Sequence, residues 1–138
     1  MKEFDVSIDI STNLLSLTDL SARLHREPYP FSSSHDKSDL VLTQTGDREP
    51  WATTIWRMFS RKDKSQPLHQ HLEDLVAHFP PKELLLPGLL PEDCKVQITI
   101  GVYYDTATVS LFLSQGSLDI IQSFKAAVEV VGYPIEVR

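Results

Sequence analysis

The chain has 138 residues, 41% hydrophobic and 23% charged, with a net charge of −6. That length and balance predict one globular domain, residues 1–138, with a single core, and exclude a chain too polar to fold. The acidic charge argues against nucleic acid, which needs clustered lysines and arginines, and no apolar run approaches the ~20 residues that would predict a membrane span.

Met1-Lys2-Glu3-Phe4-Asp5 carries acids where a secretory leader needs an apolar stretch, so the expected location is cytoplasmic. The single Cys94 agrees, having no partner for an internal disulfide. Phe4, Val6, Ile8 and Ile10 alternate with Asp5, Ser7 and Asp9, the period-2 pattern of a half-buried strand. Ser16 then stands three residues before Asp19, and Leu17, Leu20 and Leu24 follow at the spacing of one helix face. His25 and Arg26 suit the negative end of that helix, and Pro28 stops it.

From Pro28 to Ser38 the chain reads as a long polar loop. Leu40 to Thr43 predicts a short strand and Thr45-Gly46-Asp47 a turn. Trp51 to Ser60 reads as a strand with large apolar groups on both faces, hence central or packed on two sides. Pro67 opens a helix from Leu68 to Phe79, in which Leu68, Leu72, Leu75, Val76 and Phe79 form one stripe. Lys82 to Pro91 predicts turns and at most a short helical piece.

Val96, Ile98, Ile100, Val102 and Tyr104 alternate, as do Val109, Leu111 and Leu113, which predicts an antiparallel hairpin turning near Asp105-Thr106. A helix from about Leu118 to Val131 follows, with Ser117 as N-cap, Asp119 in its first turn and Gly132 at its end. Tyr133 to Val137 closes as a strand. The expected class is α+β: an antiparallel-dominated sheet with about three helices on it, in the order β-α-β-β-α-β-β-α-β.

No chemistry-bearing constellation emerges. His69 and His71 point to opposite flanks of the helix, and His71 and His78 lie about 10 Å apart by helical rise, too far to share one metal ion. These histidines read as boundary residues, and no cofactor is expected. There is no G-x-S-x-G elbow, and the scattered glycines make no phosphate cradle. Ser114 to Ser117 at a helix start reads as a cap rather than an anion site. Arg57, Arg61, Lys62 and Lys64, interrupted by Asp63, read as a solvated turn.

Asp36, Asp39, Asp47 and Glu49, with Glu92 and Asp93, are where a basic partner would dock. Trp51, Tyr29 and Phe31 are the aromatics that could strengthen such an interface. The alternatives are a small-molecule site or small enzyme with a pocket between the sheet and the 28–38 loop, and a homodimer through an edge strand such as Tyr133 to Val137.

The whole-chain pattern resembles a bacterial family, domain of unknown function 4279. It does so through Phe4-Asp-Val-Ser-Ile-Asp-Ile, the Leu17–Leu24 helix, Ile55-Trp56-Arg57-Met58, Pro67-Leu-His-Gln-His-Leu-Glu-Asp-Leu and the C-terminal elements. The chain departs from that pattern in its serine-rich loop and in ending Pro134-Ile-Glu-Val-Arg138 without an aromatic tail. The resemblance implies a non-catalytic immunity protein that neutralises a cognate bacterial toxin by occluding its active site. It transfers no catalytic residue.

Overall fold

Alternation in the first strand organises everything that follows. In a computed structural model describing residues 2–28, 34–50 and 52–135, the elements run β1 (Lys2–Thr12), α1 (Leu17–Leu24), β2 (Leu40–Leu42), β3 (Arg48–Pro50), β4 (Thr54–Phe59), α2 (Leu68–His78), α3 (Pro81–Leu84), β5 (Lys95–Tyr104), α4 (Gln115–Ser123) and β6 (Ala127–Pro134). The main sheet has the order β4-β1-β5-β6. β1 is antiparallel to both neighbours, and β6 is parallel to β5. β2 and β3 form a separate two-stranded ribbon. Leaving aside the ribbon and the single-turn α3, the order is β-α-β-α-β-α-β.

One face of the sheet carries the core. Phe4, Val6, Ile8 and Ile10 of β1 lie beside Trp56 and Met58 of β4 and Ile98, Ile100 and Val102 of β5. Leu20 and Leu24 from α1, Leu68, Leu72 and Leu75 from α2, and Ile121 from α4 close over them, joined by Phe79, Leu84 and Phe124. Each large apolar side chain so buried contributes about 1.5–3 kcal/mol. The Trp56 indole N–H also donates to the Arg26 carbonyl at 3.3 Å, and its ring meets Phe79 edge-on at 5.7 Å.

The first two main helices follow their sequence signals. The Ser16 hydroxyl accepts from the Asp19 amide at 3.1 Å, and the Asp36 carboxylate accepts from the Leu17 amide at 2.6 Å. Together they satisfy donors that a helix start leaves orphaned. His25 ends α1 in the left-handed region, at φ 53°. α2 buries its leucine stripe, and Pro80-Pro81 ends it before α3.

The last third departs from the sequence reading. Residues 109–113 are not a strand, and no hairpin forms at Asp105-Thr106. Leu111 and Leu113 pack against the core from an irregular segment, while the free edge of β5 is taken by β6. Parallel partners need a crossover, and the 105–114 segment plus α4 supplies it.

The last helix begins earlier than expected, at Gln115, and ends at Ser123 rather than Val131. Ser114, not Ser117, is its N-cap: its hydroxyl accepts from the Ser117 amide at 3.1 Å. Lys125 turns the chain out of the helix at φ 50°, and the Val-rich run after it becomes β6, ending at Pro134. Gly132 therefore lies within a strand, where an added Cβ would come 3.2 Å from the Tyr104 ring.

β4 is an edge strand of the main sheet rather than a central one. It begins at Thr54 because Ala52, at φ 68°, breaks the extended run. It is nevertheless packed on more than one side: His35 bridges Ile55 along its outer edge, and the Arg57 amide donates to the Ser34 hydroxyl at 3.1 Å. No helix among the described residues is long and apolar enough to cross a membrane.

Candidate functional site

Asp36 and Asp93, one from each acidic segment singled out in the sequence, both anchor to the stretch where β1 gives way to α1, at one end of the sheet. That end is where β1 finishes and β4 and β5 begin. Asp93 accepts from the Thr12 hydroxyl and the Asn13 amide, each at 2.7 Å. Thr53 donates to Asn13 at 2.8 Å, and Thr54 donates to the Leu15 carbonyl while accepting from the Lys37 amide. Asp36 is tied to α1 through Leu17 and to Ser38, whose amide donates at 3.0 Å. Asp39 accepts from the Asp36 amide at 2.8 Å.

The acids do unequal work in this frame. The Ser38 hydroxyl first and then the Leu17 amide hold Asp36 below the ordinary carboxylate value. The Thr12 hydroxyl and the Asn13 amide do the same for Asp93. Both carboxylates thus pin the fold and stay ionised. Asp39 and Glu92 are exposed. A shallow cleft of about 460 Å3 opens here, lined by Asn13, Thr53, Glu92, Asp93, Cys94 and Lys95. Asp47 lies in the turn of the β2–β3 ribbon, its carboxylate accepting from Thr45 at 3.2 Å. Glu49 sits in β3, opposite Val41, with its side chain outside what is described. Tyr29, Phe31 and Trp51 lie outside the described residues.

Cys94 beside this cleft is a poor nucleophile. Burial first and the neighbouring Asp93 second push its thiol up to about 11, so it stays protonated at neutral pH. The histidines separate by environment. His69 and His78 are exposed on α2, with His78 Nδ1 against the Asp74 carbonyl at 2.9 Å. His71 is not the boundary residue that its helical position predicts. It is buried, with Nδ1 2.9 Å from the Ser60 hydroxyl and its ring edge-on to Phe4. Burial lowers its pKa, partly offset by Asp5 and Asp74, which favours a neutral ring.

The second face of the sheet holds a polar network that the sequence reading missed. Asp9, 6% exposed, accepts from Arg57 Nε at 2.9 Å, the Ser7 hydroxyl at 2.8 Å and the Thr99 hydroxyl at 2.6 Å. Gln97 extends it, donating to Thr99 and to Glu129. Arg57 therefore leaves the basic cluster it was grouped with. Lys64 also has a partner, its ammonium 4.4 Å from the Tyr103 ring, which stacks on Tyr133 at 4.9 Å. The only sequence trace of this network is the polar half of each alternation, Ser7-x-Asp9 and Gln97-x-Thr99, which reads as a solvated face. Three of its hydrogen bonds converge on one carboxylate, so the network fixes strand register rather than offering a free reactive group.

The outer strand β6 is different again. Val128 is 40% and Val130 50% exposed, and among the described residues no strand pairs with its outer edge. The chain matches no protein-family model, curated protein or solved structure with which it was compared.

Proposed function

We propose that this chain is a non-catalytic binding protein that presents its acidic end to a basic protein partner. The observation carrying this reading is that Asp36 and Asp93, far apart in sequence, both anchor where β1 gives way to α1, with Glu92 and Asp93 lining a shallow cleft at that end. Asp36 and Asp93 brace that end, leaving Asp39 and Glu92 exposed to meet cations. Charges placed this way steer encounter, and close desolvated pairs add about 1.5–7 kcal/mol of coupling.

In the immunity-protein form of this reading, the partner is a toxin whose substrate-binding cations are covered. The test is co-expression with the product of the adjacent reading frame. Rescue of growth and a complex on size exclusion are expected, and both should be lost in the double variant Asp39→Lys, Glu92→Lys. A toxic neighbour that is neither neutralised nor bound overturns the reading.

A further inference from the structure

We infer that β6 pairs antiparallel with β6 of a second copy of this chain, about a two-fold axis at Val130, joining two four-stranded sheets into one. The geometry begins with one bond of the ladder. The Ile135 amide donates to the Tyr104 carbonyl at 2.7 Å, so odd-numbered residues of β6 turn their amides and carbonyls toward β5. Backbone groups alternate along a strand, so Val128, Val130 and Gly132 turn theirs outward. Pro134 shares that outward phase and has no N–H to offer.

The outward donors are therefore centred on Val130. Antiparallel pairing about that residue sets Val130 against its counterpart and Val128 against Gly132 of the second copy, so every outward donor meets an outward acceptor. This symmetry is what an isologous interface requires, and a two-fold copy of the same strand supplies it.

Charge does not oppose a second copy at this strand. Each copy carries −6, so two copies repel over most approaches. β6 holds one ionisable acid, Glu129, and it lies on the opposite face, held by Gln97. The Val130-centred register places Glu129 opposite Val131, whereas centring on Glu129 would oppose two carboxylates.

The side chains fit the same register. Val128 and Val130 lie on the core face yet remain exposed, and they would shield one another across the seam. Gly132 leaves room beside it for the Tyr104 ring, onto which Val128 of the second copy would pack. This inference does not depend on the acidic end, which lies at the start of β5.

Sedimentation equilibrium from micromolar to submillimolar concentration tests it, with circular dichroism on every variant. The wild type should shift reversibly to twice the chain mass. Val130→Lys should stay monomeric and folded. Val130→Pro, which removes an outward amide and leaves the β5 ladder intact, should do the same. In a Cys94→Ser background, Val130→Cys should form an intermolecular disulfide, because the paired Cα atoms would be about 5.5 Å apart. A wild type monomeric throughout, or a dimer indifferent to Val130→Lys, overturns the inference.

Discussion

The two edges of the main sheet are built on opposite terms. At the β4 edge, Trp56 and Met58 are buried, Arg57 is locked to Asp9, and residues 34–35 lie along the outside. At the β6 edge, valines stand exposed on the core face and the outer amides have no strand partner among the described residues. α4, the helix leading into β6, packs mainly on α2. One edge is thus sealed by its own chain, and the other, among the described residues, is not. An open strand edge is a hazard for aggregation unless it is blunted or used, and here Pro134 blunts only its last position.

The largest expected effect lies at the sealed edge. Trp56→Ala should cost about 3–5 kcal/mol in urea unfolding, because it removes a fully buried ring and its contact with Phe79. Asp9→Ala should cost about 1–3 kcal/mol by leaving the Ser7 and Thr99 hydroxyls without their acceptor. At the open edge, Val130→Ala measured on dilute protein should stay within about 0.5 kcal/mol of wild type. Equal losses at the two edges would break the contrast. On the approach to β6, Lys125→Gly should stabilise by about 1 kcal/mol, since the residue leaves α4 at φ 50°.

The smallest effects are expected on acidification. His71 is lowered from 6.5, so the stability its neutral ring confers is present above pH 6.5 and is lost as pH falls through the folded value. Asp36 and Asp93 are lowered from 3.8, so their contribution is present above 3.8 and lost below it. Unfolding midpoints should therefore decline in two stages. His71→Gln should flatten the first stage and Asp93→Asn the second.

The helices α1 and α2 were readable because their signals are local and agree with one another. Ser16, the Leu17–Leu20–Leu24 spacing and Pro28 bound α1 from within ten or so residues, and α1 occupies that span. The same holds for the leucine stripe of α2. β6 was misread because Ala127, Val128 and Val131 continue the helical stripe of Ile120, Ile121 and Phe124, while Val128-Glu129-Val130 also alternates.

The helix stop at Lys125 carries no glycine to announce it. Alternation in 109–113 was real, yet alternation needs an open sheet edge to become a strand, and β6 occupies that edge. Of the candidate site, the acids could be named from sequence but the anchoring of Asp36 and Asp93 at one end of the sheet could not. It rests on bonds such as Asp93 to Asn13, across most of the chain. Asp9 was hidden for a related reason: the partners that bury it come from β4 and β5.

Amide hydrogen exchange along β6 tests the contrast between the edges most directly. In dilute protein, the amides of Glu129, Val131 and Tyr133, which face β5, should be protected, while those of Val128, Val130 and Gly132 exchange freely. Raising the concentration should slow the second set selectively. Protection of Val128, Val130 and Gly132 that is already complete at the lowest concentration, or absent at the highest, would contradict an edge left open for a second copy.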